Sequence, residues 1–73
     1  MSLLEIPIRD ESIRLGQLLK LAGVVEDGAM ARAVVENGEV LLDGAVCLRR
    51  GTQVRPGQTV EYAGESIQVV RPA

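Results

Sequence analysis

The sequence predicts an α+β domain, with two short packed helices on a small, mainly antiparallel sheet. Three observations carry this expectation. Leu15, Leu18, Leu19 and Ala22 recur at i, i+3, i+4 and i+7, which is one apolar stripe of a helix. From Glu39 onward, short apolar runs are divided by Asp43-Gly44, Pro56-Gly57 and Ala63-Gly64, the punctuation of tight turns between strands. Finally, 73 residues suffice for one domain, near the size at which a single core is only just large enough. Residues 1–73 therefore read as a single domain.

The first element is a short strand, "LLEIPI", in which Pro7 suits an edge position that needs no ladder donor. The first helix follows, with Asp10 or Ser12 as its cap and Gly23 as its stop. Arg14, Gln17 and Lys20 stay off its apolar stripe. A second helix begins after Asp27, whose carboxylate can accept from the free N–H groups of the first turn. Its shared face is Met30, Ala33, Val34 and Asn37, and Asn37-Gly38 ends it. Each helix is barely three turns long and must pack to persist. Asp43-Gly44 is a type I′ hairpin signal, and Arg55-Pro56-Gly57-Gln58 fits a type II turn. "TVEY" and "SIQVV" flank Ala63-Gly64 as a second hairpin, with Val60, Tyr62, Ile67 and Val69 on alternating positions.

Composition narrows the chemistry. The chain has no His and one Cys, so an intramolecular disulfide is impossible and a structural zinc site lacks its usual ligands. Cys47 lies in the apolar run Ala45-Val46-Cys47-Leu48 and reads as a small buried hydrophobe, although the neighbouring Arg49 leaves a reactive thiol open. Ser2, Ser12 and Ser66 have no partner motif, and Asp10-Glu11-Ser12 reads as helix-cap chemistry. Nothing resembles a phosphate loop. No catalytic residue, cofactor or metal is expected, and the protein is not expected to be an enzyme. The N-terminus lacks the pattern of an export signal, and no apolar run approaches the ~20 residues of a membrane span. A cytoplasmic protein without membrane contact is expected. Stacking of bases on aromatic platforms is poorly supported, because Tyr62 is the lone aromatic residue and reads as a packing residue.

The basic residues need an explanation in a chain with ten acids against eight bases. Arg49, Arg50 and Arg55 fall within seven consecutive positions. In a regular strand Arg49 and Arg50 would point to opposite faces, one of them toward the core. They therefore belong in a loop, edge or bulge, eased by Gly51, where both guanidinium forks can meet phosphate oxygens. Arg14 opposes the dipole at the start of the first helix, which invites either a functional role or a compensating Asp10 or Glu11. Arg32 and Glu36 make at most a weak surface pair of ~0.3 kcal/mol, leaving Arg32 available to another anion.

Three spaced segments, "IRLGQLLKLAGV", "GAMARAVVENGEVLLDG" and "RRGTQVRPGQTVE", resemble the S-four-type RNA-binding domain, or alpha-L motif, in a small stand-alone bacterial subgroup. The core of the resemblance is about residues 13–60. It implies a helix pair on a small sheet, with an RNA-facing groove formed by the helices and the loop after the first hairpin. Carried over by position, the RNA-binding residues would be Arg14, Gln17, Lys20, Arg32, Arg49, Arg50, Gly51 and Arg55. Asp43-Gly44 and Pro56-Gly57 would be structural turns. Gly16 departs from the Asp that many members carry, the chain is more acidic than many relatives, and Asp27 precedes a helix start that could otherwise attract phosphate.

The function these features imply is non-enzymatic recognition of structured or double-stranded RNA, such as ribosomal or transfer RNA, by a monomer associated with ribosomes or RNA-processing proteins. Two alternatives stand beside it. One is a protein-interaction adaptor on such an assembly. The other is a β-grasp sulfur carrier, which needs a Gly-Gly terminus where this chain ends Val70-Arg71-Pro72-Ala73.

Overall fold

A computed structural model describes residues 2–72. The elements are β1 (Ser2–Pro7), β2 (Ile13–Arg14), α1 (Leu15–Leu21), α2 (Gly28–Glu36), β3 (Leu41–Leu42), β4 (Ala45–Val46), β5 (Gln53–Val54), β6 (Thr59–Tyr62) and β7 (Glu65–Val70). Five strands form one sheet in the order β1-β7-β6-β3-β4, and β2 pairs separately with β5. Among the described residues, only the β1–β7 pairing is parallel, and the other ladders are antiparallel. The architecture is thus the expected α+β arrangement. β1 lies at the sheet edge, where Pro7, lacking an N–H, leaves no ladder position short of a donor.

Side chains from both helices and the sheet meet in one aliphatic core. Leu15, Leu18 and Leu19 of α1, Val35 of α2, and Val54, Val60, Ile67 and Val69 of the strands are fully buried. Each such side chain contributes ~1.5–3 kcal/mol relative to exposure, which is how so short a chain offsets its conformational entropy. Tyr62 packs partly buried against this core. Cys47 is half-buried, not enclosed as expected, because it sits where β4 leaves the sheet for the loop that follows.

The helix ends follow local rules, with one correction. Gly23 (φ 75°) and Gly38 (φ 76°) take the left-handed conformation that terminates a helix. After α1, the N–H groups of Gly23 and Val24 donate to the Lys20 and Leu19 carbonyls; after α2, those of Gly38 and Glu39 donate to Val35 and Val34. Asp27 caps α2 as expected, its carboxylate accepting from the Met30 N–H at 2.9 Å. Neither Asp10 nor Ser12 caps α1. The cap is Arg14, with no side-chain hydrogen bond, because Ile13 and Arg14 are extended and paired with Val54 and Gln53. The Ser12 hydroxyl instead donates to the Gln53 side-chain carbonyl.

The buried face of α2 also differs from expectation. It is Ala31, Val34 and Val35, whereas Met30, Ala33 and Asn37 are exposed. The set 31, 34, 35 is the i, i+3, i+4 stripe, and the β-branched pair, not Met30, fills the core.

The turns match their sequence signals. Asp43 (φ 50°) with Gly44 (φ 85°), and Ala63 (φ 53°) with Gly64 (φ 82°), have the two positive φ angles of type I′ hairpins. Gly57 (φ 95°) completes the Arg55–Gln58 turn, closed by the Gln58 N–H donating to the Arg55 carbonyl at 3.0 Å. Asp43 ties the first hairpin to this second turn. Its carboxylate accepts from the Thr59 N–H and from the Gln58 amide, each at 3.0 Å. Those two donors, the backbone one foremost, hold the Asp43 carboxyl below its ordinary pKa.

Candidate nucleic-acid interface

The loop between β4 and β5 carries Arg49, Arg50 and Gly51, outside any strand, so both arginines are exposed without either facing the core. The Thr52 N–H donates to the Arg49 carbonyl at 3.1 Å and closes a four-residue turn. This turn is fastened to α1. Leu15 N–H donates to the Thr52 carbonyl and Gly16 N–H to the Arg50 carbonyl, both at 2.9 Å. A helix start leaves its first N–H groups without intrahelical acceptors, and here the basic loop supplies two. At the loop's base, Cys47 Sγ lies 3.3 Å from Thr52 Oγ1 and 3.7 Å from the Arg49 carbonyl. The arginines therefore sit on a braced turn.

Between α1, α2 and this turn lies a groove of ≈ 320 Å³. Arg14, the cap residue at the end of β2, lines it together with Gln17 and Lys20 of α1, which lie three residues apart on one side of the helix. Arg50 lines it from the loop. Gly16, Gly28, Ala31 and Gly51 supply its remaining wall without bulk. Three cations and a carboxamide thus converge on one concavity, and among the described residues no acid lines it. A wider cleft of ≈ 670 Å³ shares Arg14, Gln17 and Lys20 and continues past Ser12 and Gln53, with Asp10 as its single acid. Glu39, Glu61 and Glu65 line a different cleft, beside the β6–β7 hairpin. Charges within about a Debye length set the local field, so a net charge of −2 is compatible with a cationic groove. The smaller groove is at the low end of the range of ligand pockets, ~300–1,000 Å³.

The eight sequence-predicted residues do not all gather there. Arg14, Gln17, Lys20, Arg50 and Gly51 share the groove. Arg49 is exposed in the same turn but does not line it. Arg32 is engaged with Glu36, Nε to Oε2 at 3.0 Å, on the exposed surface of α2. Arg55 lies apart, lining a cleft with Glu11, Pro56 and Arg71, while its N–H donates to the Gln58 side chain within the turn. Gly28, Ala31, Ser12 and Gln53 line the two grooves without having been anticipated. Gln53 had no local signal, because its position depends on pairing with a residue about 40 positions earlier.

Among the described residues, no group of three His, Cys, Asp or Glu is arranged to hold a metal ion. No helix among them is long and apolar enough to cross a membrane.

A model of the S4 domain matches residues 6–70. An Escherichia coli protein named "Putative RNA-binding protein YbcJ" is 47% identical over 58 residues, covering 80% of this chain and 83% of its own. A Bacillus subtilis protein named "Probable ribosome maturation protein RlbA" is 44% identical over 66 residues, covering 89% and 93% respectively. The solution structure of Escherichia coli YbcJ, described as revealing an alpha-L motif involved in RNA binding, superposes with a TM-score of 0.65. It is 40% identical and the match covers 96% of this chain and 87% of that one.

Proposed function

Because this chain belongs to the S4 domain family, we propose that it is a non-enzymatic protein that binds structured RNA through the groove between α1, α2 and the Arg-Arg-Gly turn. The observation that carries this reading is the convergence of Arg14, Lys20 and Arg50 on one acid-free concavity. Arg14 and Arg50 present planar forks suited to phosphate oxygens, Lys20 adds a point charge, and Gln17 can donate to or accept from a ribose hydroxyl. Arg49, exposed in the same turn outside the groove, is placed to meet a flanking phosphate. Shape and backbone recognition fits helical RNA, whose accessible minor groove displays 2′-hydroxyls. Ribosomal RNA is the favoured class, since one relative is named for ribosome maturation.

Crosslinking in cells followed by sequencing tests this proposal. The wild-type chain should recover folded segments of ribosomal RNA, and Arg14→Glu with Arg50→Glu should lose them. Equal recovery by both would refute it. A second reading, an adaptor that docks on protein, is favoured by Val46 and Leu48, which are 56% and 57% exposed beside the same turn. Co-purification that survives RNase and is lost with Leu48→Ser would favour the adaptor.

A further inference from the structure

Five of the eight glycines, at 23, 38, 44, 57 and 64, have positive φ angles. The other three, Gly16, Gly28 and Gly51, lie outside the left-handed region, so their backbones do not call for glycine. Nor does packing. A Cβ added at Gly28 or Gly51 would meet nothing within 4 Å. At Gly16 it would make only ordinary contact, 3.5 Å from Arg50 Cβ and 3.6 Å from the Arg50 carbonyl. Gly16 is also helical, where alanine is the better residue. Yet all three line the one groove on which Arg14, Lys20 and Arg50 converge. The conformational freedom that glycine loses on folding is thus given up three times, on three different elements, around a single concavity.

We infer that Gly16, Gly28 and Gly51 are specificity-determining residues: they keep the groove free of side chains so that a ribose–phosphate strand can lie against the main chain. This rests on the RNA-binding reading above and adds to it the part of the RNA that enters. No aromatic side chain lines the groove, so it offers no platform for an unstacked base. What fits is a narrow anionic strand that meets cations at the sides and exposed backbone at the floor. Recognition of that kind is tolerant of sequence and sensitive to width, and each methyl added to the floor displaces the strand from its charged partners.

The test is equilibrium binding of labelled, deproteinised bacterial ribosomal RNA to the full chain and to Gly16→Ala, Gly28→Ala and Gly51→Ala, each with a thermal melt. Every variant should bind on the order of tenfold more weakly, the loss of about one charged hydrogen bond. Melting temperature should not fall, and Gly16→Ala should raise it. The salt slope should shrink by up to about 0.9, because a strand displaced from one charged partner neutralises one phosphate fewer. Full affinity in the Gly16→Ala and Gly51→Ala proteins, when Arg14→Ala weakens binding, would overturn the inference alone. Indifference to Arg14→Ala and Arg50→Ala would overturn the reading beneath it.

Discussion

Val54→Ala should loosen the candidate site from below. Val54 is fully buried and pairs with Ile13, so it anchors the two-residue ladder that holds the basic turn against α1. Alanine removes two methyl groups, worth ~0.8 kcal/mol each in transfer, plus a cavity contribution that brings the expected loss to about 2 kcal/mol. A domain of this length has roughly 4–11 kcal/mol of stability, so the variant remains folded. At about 4–8 °C per kcal/mol, its melting temperature should fall by roughly 8–16 °C. The informative assay is amide hydrogen exchange. The Leu15 and Gly16 N–H groups donate to the Thr52 and Arg50 carbonyls, and they are protected only while the turn is seated. If the ladder seats it, their exchange should accelerate about 30-fold, the equivalent of 2 kcal/mol. A lowered melting temperature with unchanged exchange at these two amides would refute the idea that β5 holds the turn in place.

Two further outcomes follow from named groups. Asp43 has its folded pKa below the unfolded value, so its contribution is complete above about pH 4 and is lost as pH falls through the folded pKa. Asp43→Asn should therefore melt below wild type at pH 7, with the gap closing in acid; a gap constant down to pH 2 would contradict this. Asp27→Ser keeps an oxygen for the Met30 N–H while removing a negative charge next to the groove-lining Gly28. Its stability should change by only a few tenths of a kcal/mol, and its RNA affinity, measured by fluorescence anisotropy, should rise.

The features legible in the sequence were the local ones. Asp43-Gly44 and Pro56-Gly57 specify their turns through backbone preferences of the residues themselves, and the structure has the corresponding φ angles. Leu15, Leu18 and Leu19 declared the core face of α1 by spacing alone. What escaped was decided across the chain. Ser12 has the chemistry of a cap, but pairing of β2 with β5 holds the chain extended as far as Arg14, so the hydroxyl turns to Gln53. The face of α2 was misread because both Ala33 and Ala31 are apolar, and only packing selects the latter. The basic residues show the same division. A local excess of charge at Arg49 and Arg50 was visible, but whether Arg50, Arg14 and Lys20 would meet depended on two hydrogen bonds between distant segments, Leu15 to Thr52 and Gly16 to Arg50. Arg55 belongs to the same run of sequence and ends up in a different cleft.

The central claim is that the three cations of the groove engage RNA phosphates. It is tested most directly by the salt dependence of binding to ribosomal RNA, for wild type and for Arg14→Ala with Arg50→Ala. Each neutralised duplex phosphate contributes a slope of about −0.9 in log K against log salt, so wild type should give roughly −3 and the double variant roughly −1. Equal slopes for the two proteins, or wild-type binding indifferent to salt, would contradict the account.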